Sequence, residues 1–191
     1  MDQNFIPFAS PWWVNLLILI PFICYYFWRN KLDISLKTLL AAGLFAAAFG
    51  FVEAACVVYL RGAAGLLQNI SAVKDIYQQA NILALLPEKL LRIEVAREAA
   101  TMIMLIAIAF LAVKTKRERW AVYFWVFAFW DIFYYVGLFA TIGWPSSLTT
   151  PDVLFLIPIP WYSQVWFPFL VSGLFILSII LGRKRIKMLL N

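Results

Sequence analysis

Histidine is absent from this chain and charge is scarce: Asp, Glu, Lys and Arg together make up 14% of its 191 residues. Without histidine the usual general base at neutral pH is missing, as are the commonest metal ligand and the usual axial ligand of haem. A metal site would have to be built from carboxylates alone, and acid–base chemistry from Asp, Glu, Tyr, Lys or Cys. The two cysteines, Cys24 and Cys56, both fall in apolar runs. The topology derived below puts them toward opposite faces, too far apart for a disulfide, whose Cα atoms lie within about 7 Å. No dinucleotide or Walker glycine loop, HExxH, CxxC, GxSxG or DDxxD run occurs. Neither a cofactor nor a resident metal is therefore expected.

What the chain has instead is apolar length. Hydrophobic residues make up 64% of it and mean hydropathy is +0.86, whereas soluble chains are nearer half apolar and about a quarter charged. A water-solvated core of this size could not hide so much apolar surface, and a bilayer removes the need to hide it. The expected fold class is an all-α integral membrane protein, with residues 1–191 forming one transmembrane helical domain. The net charge of +6 raises the question of nucleic acid. The positive residues, however, punctuate the hydrophobic runs instead of interleaving with aromatics on a soluble face. Membrane lipids are the expected partners, not nucleic acid.

Five spans are expected, at about 12–28, 38–60, 91–113, 120–142 and 165–181. The first 13 residues carry no positive n-region, which argues against a cleavable signal peptide. Span 1 is aromatic at both ends, as interfacial belts are. Span 2 contains AAGLFAAAFGF, whose small residues let another helix approach closely. Over 62–86, Leu66, Leu67, Ile70, Val73 and Tyr77 recur at helical spacing among polar residues, predicting an amphipathic helix on the outer surface. Pro87 suits the first position of the next helix. The apolar stretch Ala99 to Val113 is only 15 residues, and a span needs about 20, so span 3 must draw in the charged turn Glu94 to Glu98. In the Pro-rich segment 143–161, Val153 to Trp161 is too short to cross and contains Pro158 and Pro160. It is expected to stay on the outer side, covered by protein where its backbone finds no partner.

Orientation follows from charge. Eleven of the sixteen Lys and Arg residues fall in three places: Arg29, Lys31, Lys37; Lys114, Lys116, Arg117, Arg119; and Arg183, Lys184, Arg185, Lys187. Five spans put all three on one side, which the positive-inside rule makes the cytoplasm. The N-terminus is then outside and the C-terminus inside, and a bacterial plasma (inner) membrane is the expected location.

Charged groups within the hydrocarbon cost about 2.5–3.5 kcal/mol each on insertion scales, so they tend to face the bundle and pair. Span 2 carries Glu53, span 3 carries Glu94, Arg97 and Glu98, and span 4 carries Asp131. At about 100° per residue, Glu94, Arg97, Glu98 and Thr101 share one face, as do Asp131, Tyr134 and Tyr135. The expected site is one outward-opening polar cluster of Glu53, Glu94, Arg97, Asp131, Tyr134 and Tyr135, roofed by the Pro-rich segment. With Glu98 counted, four intramembrane carboxylates then stand against one guanidinium, which calls for protons or a cation. A plainer reading has Glu94 and Arg97 neutralising each other at i, i+3 while Glu98 reaches the headgroups. Three functions fit: a cation, proton or small-solute binder or transporter, alone or as a homo-oligomer; a subunit or assembly factor whose charges pair with partner membrane subunits; or a membrane enzyme acting on a lipid or isoprenoid. In the last, a carboxyl would be the acid or base and Arg97 would hold an anion.

Overall fold

The computed structural model describes residues 8–63, 65 and 87–184, which are mostly helical (74%). A 3-10 stretch, Trp12–Ile18, runs into α1 (Leu19–Trp28). It is followed by α2 (Leu36–Ala63), α3 (Glu88–Ala112), α4 (Lys116–Ile142) and α5 (Trp166–Gly182). By length and composition α2, α3 and α4 are able to cross a membrane, while Trp12–Trp28 and Trp166–Gly182 are shorter apolar helices. Five helical segments are consistent with the count read from the sequence. The amphipathic helix expected over 62–86 lies, past Gly65, outside the described residues, as do Arg185 and Lys187.

An all-α fold needs one correction. Three short strands, β1 (Ala9–Ser10), β2 (Pro151–Phe155) and β3 (Trp161–Gln164), form an antiparallel sheet in the order β1-β3-β2. Asp152 pairs with Ser163, and Ala9 faces Ser163 from the other side. The physical cause is proline. Pro158 and Pro160 deny the segment a helix, so its backbone groups pair in a hairpin and with the N-terminal chain. Ser163 Oγ adds a hydrogen bond to the Phe8 carbonyl at 2.6 Å.

Local chemistry sets the helix ends. Thr115 Oγ1 accepts from the Glu118 N–H at 3.3 Å and donates its hydrogen to Glu118 Oε2 at 2.8 Å, a side-chain cap opening α4. Gly143, at φ 68°, ends it in the left-handed conformation that glycine tolerates best. Ser35 Oγ accepts from the Thr38 N–H at 3.0 Å at the start of α2. Pro87 stands just before α3, which begins at Glu88, and is not its first residue.

Helix α4 is central, packing on α2, α3 and α5, while α1 packs on α5. The α2–α4 contact depends on small residues. A Cβ on Gly50 would fall 2.5 Å from the Trp130 carbonyl oxygen, and one on Gly137 would fall 2.8 Å from the Ala54 Cβ. Gly50 of the AAGLFAAAFGF run and Gly137 of α4 therefore let the two helices approach closely. On the other side, Phe124 of α4 stacks on Phe175 of α5 at 4.3 Å.

The basic clusters gather at one end of the bundle. Lys184 donates its backbone N–H to the Leu32 carbonyl at 2.9 Å, and its Nζ pairs with Asp33 at 2.8 Å. The Asp33 N–H reaches Glu118 Oε1 at 3.3 Å. The sheet lies toward the other end, where Leu156, just past β2, bonds Glu98 of α3.

Candidate functional site

The α3 residues 94, 97, 98 and 101 recur at helical i, i+3, i+4, i+7 spacing, which aims one face at α2, α4 and β2. At its centre Arg97 forms ion pairs with Glu53 of α2 and with Glu94 one turn earlier. The Arg97 Nε–H donates to Glu94 Oε2 at 3.0 Å. Glu53 is only 3% exposed, and its Oε1 accepts the Thr101 hydroxyl at 2.8 Å. One guanidinium thus sits between two carboxylates from different helices. Such a pair holds in a medium of low dielectric because each charge is bonded as well as neutralised.

The remaining carboxylates are held by neutral donors. Glu98 takes the Leu156 backbone N–H on both oxygens, at 3.1 and 2.9 Å, which ties the end of β2 to α3. Asp131, mid-way along α4, accepts the Ser172 hydroxyl of α5 at 2.8 Å on Oδ2. The Tyr135 hydroxyl donates to Asp152 of β2 at 2.9 Å, a bond between two buried side chains.

These groups converge on a cavity of about 50 Å³ between α3, α4 and β2. Glu94, Arg97, Glu98, Asp131, Tyr134 and Tyr135 all line it, and Val153 to Phe155 form its roof. Trp130 also lines it; that residue is 8% exposed, and its indole N–H has no partner among the described residues. A single water needs at least about 10–15 Å³, so this space suits a few waters or a small ion and nothing much larger.

Six residues were singled out from the sequence, and five of them, Glu94, Arg97, Asp131, Tyr134 and Tyr135, line the cavity. Glu53 lies behind it, joined through Arg97 and Thr101. Among the described residues Asp131 and Glu53 share no partner: Asp131 is bound by Ser172, and the Arg97 pairs are with Glu53 and Glu94.

Sequence reasoning missed Asp152, Ser172, Trp130 and Arg61. Asp152 carried a signal, being the one acidic residue in an otherwise apolar, Pro-rich stretch. Arg61 carried another, because it closes span 2 at the end remote from the three basic clusters. Its guanidinium stands 5.0 Å over the Trp144 ring and acts electrostatically on Glu94 and Tyr134. Ser172 and Trp130 carried none, since a serine or tryptophan in an apolar helix reads as packing.

The chemistry follows from the inventory. Glu53, Glu94, Glu98, Asp131 and Asp152 lie in or beside the cavity, against the guanidinium groups of Arg97 and Arg61. Among the described residues no three acidic or cysteine side chains converge as a metal ion requires. No protein-family model, curated protein or solved structure matches this chain.

Proposed function

We propose that this is a five-span integral membrane protein whose sheltered cavity takes up and releases a proton or a small cation, as part of binding or translocating it. Large side chains on the helix perimeters support the membrane setting: Leu44 is 72% exposed, Leu111 83% and Phe139 62%. Water would not tolerate so extensive an apolar surface, whereas lipid does. The 3-10 lead of α1 rises about 2.0 Å per residue, against about 1.5 Å in an α-helix, which lengthens that short segment toward the hydrocarbon thickness. The basic end, with Arg29, Lys31, Lys114, Lys116, Arg183 and Lys184, is cytoplasmic on this reading, and the sheet faces outward.

The observation that carries the function is the small, partly sheltered cavity with more carboxylates than cations around it. Carboxyls in such a place change protonation when a cation arrives or leaves, and hydrogen bonds from Ser172 and Leu156 hold them in position for it. Infrared spectroscopy of the protein in lipid nanodiscs tests this through the carboxyl C=O band of the protonated form. A band that titrates with pH or with added Na⁺ or K⁺, and that Asp131→Asn or Glu98→Gln diminishes, is the expected result. A spectrum with no titrating carboxyl under any of these conditions would overturn the proposal.

A further inference from the structure

Where α1 and α5 end, on the basic side of the bundle, their chains are laced together. Lys31 and Leu32 both donate a backbone N–H to the Gly182 carbonyl at 3.2 Å, and Lys184 donates to the Leu32 carbonyl at 2.9 Å. Gly182 permits the approach, since a Cβ there would stand 3.1 Å from the Trp28 Cβ. Arg29 and Arg183 each follow the last residue of their helix, so the lacing brings both into the lining of one groove of about 380 Å³. Tyr25, Asn30 and Lys184 line it too, and Ile180 and Leu181 give it an apolar side. No Asp or Glu is among these residues. Lys184 is neutralised by Asp33 at 2.8 Å, whereas Arg29 and Arg183 form no ion pair among the described residues.

We propose that this groove binds the phosphate of an anionic phospholipid from the leaflet at the basic end, through Arg29 and Arg183. The inference shares the membrane setting proposed above and takes nothing from the role of the cavity. Two like charges lining one groove repel, and an anion between them removes that cost. A guanidinium fork matches the two free oxygens of a phosphate diester, and Tyr25 and Asn30 carry further donors. These groups are open to a ligand: Arg29 and Asn30 are exposed, Tyr25 and Arg183 half-buried. The apolar side favours a lipid over free phosphate. Ile180 and Leu181 are half-exposed, and one turn deeper along each helix Phe22 and Leu177 are exposed as well. Acyl chains leaving a phosphate at the arginines therefore have an apolar surface to follow. Basic pockets at the cytoplasmic ends of membrane helices hold anionic headgroups in this way.

The test is native mass spectrometry of the full chain, released from micelles holding equal amounts of phosphatidylglycerol and phosphatidylcholine with matched chains. Phosphatidylglycerol adducts are expected to dominate. Arg29→Gln and Arg183→Gln should each lower that preference about fivefold. Asn30→Asp reads the same site without removing an arginine. Asn30 sits at φ 56°, which Asp also tolerates, and the change sets a carboxylate in the groove, so the preference should fall again. Lys37→Gln and Lys114→Gln remove exposed charges of the other basic clusters, outside the lining, and should leave the preference unchanged. Equal losses in the lysine and arginine variants would mean diffuse attraction to a basic end and would overturn the proposal, as would equal binding of the two lipids by the unaltered chain. Millimolar ammonium phosphate distinguishes the sources of the anion. Retention of phosphatidylglycerol in its presence supports the lipid, and displacement by inorganic phosphate overturns it. The infrared titration is independent: the carboxyl band titrates or fails to titrate in Asn30→Asp as in the unaltered chain, whatever becomes of the lipid.

Discussion

Thr101 on α3 donates its hydroxyl hydrogen to Glu53 Oε1 on α2 at 2.8 Å, and the two side chains are 1% and 3% exposed. This bond, with the Arg97 pair on the other oxygen, fixes α2 against α3 at the depth of the cavity. Replacing Thr101 by Val keeps the volume and removes the donor. A loss of about 0.5–1.5 kcal/mol is expected, read as a lower thermal midpoint in detergent. Thr101→Ser should recover most of it.

A guanidinium keeps its proton inside a protein, whereas a carboxyl deprived of its partner can become neutral. Arg97→Ala should therefore cost more stability than Arg97→Lys, with an upper range of about 3–5 kcal/mol for a broken buried pair. Combining Glu53→Gln with Arg97→Ala should be milder than the sum of the single changes. Strict additivity in chemical or thermal unfolding would show that the pair is not energetically coupled.

The close approach of α2 and α4 at Gly50 is open to a direct check. Gly50→Ala forces a methyl to within 2.5 Å of a backbone oxygen, and overpacking of this kind costs about 1–3 kcal/mol. Gly173 on α5 has open space where its Cβ would stand. Gly173→Ala should be neutral or stabilising by up to about 1 kcal/mol. Similar unfolding midpoints for both variants would contradict the tight α2–α4 packing.

Orientation is tested with single cysteines in a background lacking Cys24 and Cys56. Ser146, beyond the end of α4, and Lys114, before its start, are both exposed. In intact cells a membrane-impermeant thiol reagent should label position 146 and spare position 114 until the membrane is opened. The reverse pattern would invert the topology.

How much of this was legible in the sequence differs from residue to residue. The helical segments were, because apolar runs bounded by charge or proline leave the backbone few other ways to satisfy its hydrogen bonds. The face shared by Glu94, Arg97, Glu98 and Thr101 was legible too, because helical periodicity alone puts them in line. The pairing of Pro151 to Phe155 with residues 161–164 was not. Proline showed that no helix forms there, but a sheet depends on which strand lies nearby.

The sequence by itself determined that the chain is apolar and helical, and that it carries more carboxylates than guanidinium groups among its hydrophobic runs. Tertiary structure alone decided who partners whom: Arg97 with Glu53 and Glu94, Asp131 with Ser172, Tyr135 with Asp152. The reason is one of range. Periodicity follows from the local geometry of a single helix, whereas a partner is chosen by the approach of two helices. That approach is set here by the absent side chains of Gly50 and Gly137 and by the stacking of Phe124 on Phe175, contacts between residues far apart in the chain.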